Sequence, residues 1–275
     1  MTLARMTALA GVSRATYYRF DPETVPAARD VDLRDAIQRI ALKHPAYGRP
    51  RITAELKRQG HEVNHKRVGR ILREDNLLCI RKRKFRSTTD SKHGFPVYAN
   101  LLRNFVPNQP NQAWVADITY IRLADEFVYL AVVLDAYSRL VIGWSLERTL
   151  EAKLAVAALR MALCKREVPQ GLIHHSDRGV QYACADYTKI LQDREIRISM
   201  SRKGNPYDNA RAESFMKTLK HEQVHREEYR NIADARRRIG TFLETTYNKQ
   251  RLHSALGYRP PAEFDALAAA LPVPA

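Results

Sequence analysis

Between residues 31 and 44, VDLRDAIQRIALKH sets Leu33, Ile37, Ile40 and Ala41 on one face at three- and four-residue intervals, with charged residues between them. That is the period of a helix burying one side. HPAYGRP, with two prolines and Gly48, breaks it. RITAELKRQG predicts a second helix, with Pro50 near its first turn and Gly60 at its end. Asn64 is placed to cap a third, HKRVGRILREDN, with Val68, Ile71 and Leu72 facing inward. Upstream, ALAGVSRATYYRF has the pattern of a helix end, a Gly-containing turn and a new helix capped by Ser13. That is a short helix-turn-helix pattern, which a generic capped helix matches equally well.

From residue 113 the period changes. AWVADITYIRL is rich in β-branched and aromatic residues and predicts a strand. FVYLAVVLD, nearly all apolar, predicts a central second strand, and LVIGWSL a third. Turns at Ala124-Asp125-Glu126 and at AYSR make the three an antiparallel meander. TLEAKLAVAALRMALCKRE predicts a helix ended by Pro169 and Gly171, and LIHH a short fourth strand. ADYTKILQD is a helix and IRISM a strand. After the basic loop SRKGNP, Asn205 is placed to cap a long helix with Pro206 and Asp208 in its first turn, and a further helix covers about 232–248. The order βββαβαβα implies an α/β fold with a mixed sheet flanked by helices, preceded by a small all-helical domain. The expected limits are 1–22 for a partial helix-turn-helix, 28–90 for the helical domain, 91–107 for a linker, 108–225 for the sheet domain and 226–275 for a C-terminal helix and tail.

Charge adds a partner. The chain of 275 residues carries a net charge of +16. Residues 1–110 hold 22 Lys/Arg against 10 Asp/Glu, whereas the remainder holds 24 against 20. A basic block of this kind attracts polyanions and gains affinity by releasing counterions from phosphates. The third helix carries Lys66, Arg67, Arg70 and Arg73 on its outer face, suited to a DNA groove. The run RKRKFR, with Arg81, Lys82, Arg83 and Lys84, suits an arm along phosphates. Cys79, Cys164 and Cys184 form no C-x-x-C pair, which argues against a disulfide framework or zinc knuckle. No apolar run is long enough to span a membrane, and the expectation is a cytoplasmic protein.

Three acids have positions that suggest chemistry. Asp117 stands mid-strand in the otherwise uncharged WVADITYI, where a carboxylate is costly unless paired or metal-bound, or else faces solvent. Asp177 follows a short apolar strand, where open α/β sheets bind ligands, though a turn-forming Asp before Gly179 has the same look. Glu213 falls two turns inside the helix expected to start at Pro206, and alone reads as an exposed helical Glu. Together, carboxylates from a strand, a strand end and a later helix can converge on one or two hard cations, Mg²⁺ or Mn²⁺. Two such ions suit in-line phosphodiester displacement. Asp135 is explained by a turn, and Asn209, one turn before Glu213, is placed to support the site.

Asp177 and Glu213 are separated by 35 residues. With WVADITYI, VVLDAYSRLVIGW, HHSDRGVQY, SRKGNPYDNARAESFMKTLKHE and YNKQRLHSALGYRPPAEF, the chain resembles the downstream-frame (OrfB) product of the IS-three family of insertion sequences, over about residues 30–265. The resemblance implies an RNase H-like core and a DDE transposase that nicks element ends and transfers strands to a target. Asp117, Asp177 and Glu213 would then be the catalytic and metal-binding triad, with two Mg²⁺ or Mn²⁺ ions. It also implies a basic residue seven positions after the Glu, which Lys220 matches; Lys217, Arg202 and Lys203 are further DNA-contact candidates. Implied partners are the element ends and target DNA, a second copy of the chain, and the upstream-frame protein.

Two other readings remain. A non-catalytic DNA-binding regulator of transposition would use only the basic N-terminal part. His221-Glu222-x-x-His225 formally matches the H-E-x-x-H pattern of zinc peptidases, with Glu244 as a distant third ligand. Its flanks are charged on all sides, and the extended x-x-G-x-x-H is absent, Glu228 and Asn231 standing in those places. His174 and His175, adjacent on a strand, should point to opposite faces.

Overall fold

The computed structural model of the chain describes residues 2–19, 30–77, 79, 96–103, 105–202 and 209–270. It divides into two units, Met1–Cys79 and Ile80–Ala275. Arg81, Lys82, Arg83, Lys84 and Lys203, and the helix-start signals Asn205, Pro206 and Asp208, lie outside the described residues.

The first unit is helical throughout: α1 (Leu3–Leu9), α2 (Arg14–Arg19), α3 (Val31–Lys43), α4 (Arg49–Arg58) and α5 (His65–Glu74). Its caps follow the sequence signals. Ser13 Oγ accepts from the Thr16 N–H at 3.0 Å, and Asn64 Oδ1 from the Lys66 N–H at 2.8 Å, each satisfying an orphan donor of a first turn. Ile37 and Ile40 of α3 are buried, as are Ile52 and Leu56 of α4 and Val68, Ile71 and Leu72 of α5. The apolar stripes form one small core, which leaves the basic face of α5 outside.

The second unit is built on β1 (Ala113–Arg122), β2 (Phe127–Asp135) and β3 (Val141–Glu147), then α6 (Ala152–Lys165), β4 (Ile173–Ser176), α7 (Val180–Ala183), α8 (Ala185–Gln192) and β5 (Arg197–Met200). The helices α9 (Ala210–Glu222) and α10 (Ile232–Thr241) follow, then a π-helix over Phe242–Gln250 and α11 (Pro261–Ala269). The strand order is β3-β2-β1-β4-β5. The meander is antiparallel, from Trp114 opposite Asp135 to Arg122 opposite Phe127. β4 lies parallel to β1 but pairs only with Ala113, Trp114 and Val115. Beyond Val115, β4 therefore leaves that flank of β1 unpaired.

Both sheet faces are covered. One packs Trp114, Ala131, Val133 and Ile142 against α6, α7 and α8. A Cβ on Gly143 would stand 2.2 Å from the Ala158 carbonyl oxygen, so α6 lies directly on β3. The other face packs Val115, Leu130 and Val132 against α9 and α10, and Ala235, Ile239, Phe242, Leu243 and Tyr247 join the same core. Residues expected as one helix over about 232–248 thus form α10 and then π turns. A hydrophobic period cannot register that widening. Within the π-helix, Asn248 gives its Nδ2 to the Val141 carbonyl at 2.9 Å and takes the Val141 N–H on its Oδ1 at 3.0 Å. The described α9 starts at Ala210 with Asn209 at its cap position and Glu213 in the first described turn; the expected start at Pro206 lies outside the described residues. Among the described residues, no helix is long and apolar enough to cross a membrane.

Candidate active site

β1 brings Asp117 to the unpaired flank of the sheet, β4 delivers Asp177 one residue past its end, and the first turn of α9 presents Glu213. Each acid is partly exposed. Asp117 Oδ1 accepts from the Ile118 N–H at 2.9 Å, and Asp177 Oδ1 from the Gly179 N–H at 2.9 Å. Glu213 reaches Lys217, one turn on, at 3.9 Å. A Cβ on Gly179 would meet Asp177 Oδ1 at 3.0 Å, so the bare glycine leaves that carboxylate its place.

The three charges act on one another. Burial first, then repulsion from Asp177, with a lesser push from Glu213, raises the Asp117 carboxyl to a pKa of about 8. Lys220 opposes the shift. Its ammonium is half-buried 4.4 Å from the Tyr120 ring centroid, and desolvation lowers its pKa against the pull of Asp117. Asn209 ties α9 to β1 beside this cluster: its Nδ2 donates to the Ala116 carbonyl at 3.1 Å.

The donor set suits a hard divalent cation: all oxygen, mutually repulsive, and holding a proton on Asp117 at neutral pH that such an ion would displace. Among the described residues, no three His, Cys, Asp or Glu side chains already stand as a finished cage. Asp117 and Asp177 would hold the ion or ions, with Glu213 closing the set.

The rival constellations take other roles. α9 ends at Glu222, and Gln223 leaves helical geometry at φ −123°, ψ −66° before a 3-10 turn over Val224–Arg226. His221 and His225 therefore do not share one helical face, as an H-E-x-x-H zinc site requires. Glu222 is occupied by Arg251, whose Nε and Nη2 reach it at 2.8 and 2.7 Å. The proposed third ligand, Glu244, accepts from Trp144 Nε1 and Lys165 Nζ. His175 is buried with Nδ1 2.8 Å from Ser199 Oγ and Nε2 3.0 Å from Ser201 Oγ. His174 Nε2 lies 3.0 Å from the Tyr187 hydroxyl, and burial lowers its pKa to about 3. Asp135 is the turn residue expected, accepting from the Tyr137, Ser138 and Asn111 N–H groups.

Of the DNA-contact candidates, Lys66, Arg67, Arg70 and Arg73 all lie exposed on α5. Arg67 and Arg70 both pair with Asp30, Arg70 also reaches Glu74, and Arg73 Nε donates to the Gly69 carbonyl. Lys217 and Arg202 are exposed in the second unit. Sequence reasoning passed over Arg178, whose Nε donates to the Ser201 carbonyl at 2.7 Å. It stands in HHSDRGVQY beside Asp177, and that adjacency is the only signal that could have marked it.

Both units are similar to known proteins. Residues 107–206 match the family model described as an integrase core domain, residues 194–261 a second model of that description, and residues 28–85 an HTH-like domain. An uncharacterized 31 kDa protein of insertion element IS600 from Shigella sonnei is 41% identical over 92% of this chain and 95% of its own length. The transposase InsF for insertion sequence IS3A of Escherichia coli (strain K12) is 44% identical over 80% of this chain and 76% of its own. A chain of the simian T-cell lymphotropic virus intasome, solved with the PP2A regulatory subunit B56 gamma, superposes with a TM-score of 0.50 at 16% identity, over 87% of this chain and 77% of that one. At that identity the likeness concerns the fold.

Proposed function

Because this chain belongs to the insertion-sequence transposases of the IS3 family, we propose that Asp117, Asp177 and Glu213 are the residues with which it cuts and joins DNA. The protein is a DDE transposase, a polynucleotidyl transferase whose partner is DNA. What supports the assignment is that β1, the end of β4 and the first turn of α9 bring three acids near enough to repel one another, so that partial burial together with that repulsion raises the Asp117 carboxyl. Structural ion-pair networks also perturb carboxyls, but there cations dominate, whereas here Asp177 and Glu213 act on Asp117 more strongly than Lys220 does.

The reaction is in-line displacement at phosphorus, first by water at the element's end and then by the freed 3′-hydroxyl at another phosphodiester, with no covalent enzyme intermediate. Two Mg²⁺ or Mn²⁺ ions at the acids would supply charge stabilisation for the attacking and leaving oxygens. Asp117 and Asp177 hold that charge in place, Glu213 completes the donor set, and Asn209 fixes the first turn of α9 against β1. Lys220, kept upright on the Tyr120 ring, lies beside the acids where a phosphate backbone would pass, with Lys217, Arg202 and Lys203 as further contacts. Residues 28–90 serve as the DNA-binding module, with Lys66, Arg67, Arg70 and Arg73 toward the duplex and Arg81, Lys82, Arg83 and Lys84 along its phosphates; residues 1–22 add a partial helix-turn-helix. Residues 108–225 are the catalytic core, 91–107 its linker and 226–275 its closing tail. The chain works as a homo-oligomer on DNA in the cytoplasm, with the upstream-frame protein as a partner.

Asp177→Asn tests the assignment. The variant should fold as the parent and lose both nicking and strand transfer on a terminal-repeat duplex with Mg²⁺. Nicking at the parental rate would remove Asp177 from the chemistry. DNA retention by a parent protein that never nicks would favour the regulator instead.

A further inference from the structure

α5 carries its charges along two edges. Arg67, Arg70 and Glu74 follow one another at i, i+3 and i+7 along the first, and Lys66, Gly69 and Arg73 along the second. The first edge is neutralised within its own unit: Asp30 takes Arg67 and Arg70, and Glu74 takes Arg70 and Arg34. The second is not. Among the described residues, Lys66 and Arg73 have no acidic partner, and Arg73 Nε turns to the Gly69 carbonyl at 3.0 Å. At the middle of this edge stands a glycine, a poor helix former, and it is buried. Arg49, the first residue of α4, lies across it: a Cβ on Gly69 would stand 2.8 Å from Arg49 Cδ and 3.8 Å from Nη1. Any larger residue there would push the arginine away. Arg49 is itself exposed and, among the described residues, has no acidic partner either. A cation from a second helix is thus delivered to the edge of α5 that no acid neutralises.

We propose that Arg49, laid across Gly69, contacts the phosphate backbone of duplex DNA beside Lys66 and Arg73, and that Gly69 is the positioning residue that keeps it there. This rests on the reading of α5 as the duplex-facing helix and names the edge that meets the backbone. Arg67 and Arg70 must give up Asp30 before they reach a phosphate, whereas Arg49, Lys66 and Arg73 have no acid to give up. A guanidinium matches two phosphate oxygens at once. With its stem already laid on the helix, it loses less freedom on binding. An apolar side chain at position 49 would cover the glycine equally well, so packing alone does not call for the charge.

Arg49→Met in the full chain tests this, since methionine keeps an unbranched stem over Gly69 and removes only the charge. Binding to a terminal-repeat duplex and to a duplex of unrelated sequence is titrated with salt. The slope of log affinity against log salt should fall by about 0.9, with affinity about fivefold weaker at physiological salt, equally on both duplexes. Gly69→Ala should show the same loss while its melting temperature stays or rises, because alanine is the better helix former. In the Arg49→Met background it should lower the slope no further. A parental slope in Arg49→Met overturns the inference, and so does a loss confined to the terminal repeat, which would be base readout. Parental binding by Gly69→Ala, or a melting temperature several degrees lower, overturns the role of the glycine and leaves Arg49→Met to decide the rest. Lys66→Ala and Arg73→Ala run alongside separate the two levels. Parental slopes in all of them remove α5 from the duplex and this inference with it. Slopes lowered in those two but not in Arg49→Met remove Arg49 alone.

Discussion

The Glu222 carboxylate receives two hydrogen bonds from Arg251, at 2.8 and 2.7 Å, joining the last residue of α9 to a segment 29 residues later. Both side chains are almost fully buried, at 11% and 5% exposure, and Arg251 Nη1 also lies 3.0 Å from His253 Nε2. The only acid inside HEQVH is thus a structural anchor. Arg251→Ala removes both of those hydrogen bonds from a buried carboxylate and should cost about 3–5 kcal/mol in urea unfolding. His221→Ala should leave both stability and metal content where they were. Stoichiometric zinc lost on His221→Ala would contradict the assignment.

Asp117 gives a pH dependence whose sign is fixed. Its folded pKa of about 8 lies above the ordinary aspartate value of 3.8 expected for the unfolded chain. Between those values the unfolded chain has lost a proton that the folded chain keeps, so stability falls as pH rises and levels off above about 8. Melting temperatures of the metal-free protein should decline from pH 5 to pH 8, and Asp117→Asn should flatten that decline. Below pH 8, Mn²⁺ binding should release a proton, visible as a dependence of the calorimetric heat on buffer ionisation.

Asn209 separates catalysis from stability. Its Nδ2 holds the Ala116 carbonyl, but its Oδ1 is buried without a partner among the described residues. Asn209→Ala loses a bond and relieves a stranded acceptor, so the unfolding free energy should change by less than about 1.5 kcal/mol. Strand cleavage should drop at least about tenfold, as expected when a supporting hydrogen bond that positions a metal-site residue is removed. Parental cleavage rates would show that the tie between α9 and β1 does not govern Glu213.

Arg67 and Arg70 share Asp30 at the surface of the first unit. If α5 meets phosphates, DNA takes over those guanidiniums, and each arginine replaced by alanine should lower the slope of log affinity against log salt by about 0.9. An unchanged slope in the double variant would point to a different face.

Gly143→Ala should be among the most disruptive single-methyl additions in the sheet, because the new carbon would meet the α6 backbone at Ala158 and Ala162. Separating helix from strand costs about 3 kcal/mol. Chemical denaturation measures it, and a loss near zero would show that α6 can shift.

The hydrophobic periods gave the helical unit, the meander and both capping residues directly, because apolar spacing and Ser or Asn caps are local properties. Asp117 was legible for a related reason: a lone charge in an apolar strand is conspicuous in one dimension. Glu213 was legible only through its 35-residue spacing from Asp177 and the family resemblance, since a helical Glu alone resembles any solvated one. The Asn248 bonds to Val141 were out of reach, as they join residues more than a hundred positions apart in sequence, and the π-helix keeps an apolar period too close to that of a continuing helix to be told from it. Arg49 was hidden among ordinary arginines, and only its path across Gly69 sets it apart.

Asn248 also changes what the rim of the sheet can do. β3 is an outermost strand, and a bare rim strand offers its peptide groups to any passing chain. At Val141 both of those groups are already taken by one amide side chain that mimics a neighbouring strand. The segment after α9 therefore works as a seal as well as filling. A shortened protein lacking it would lose part of its apolar lining and gain a sticky border, and would be prone to self-association before any question of catalysis arose.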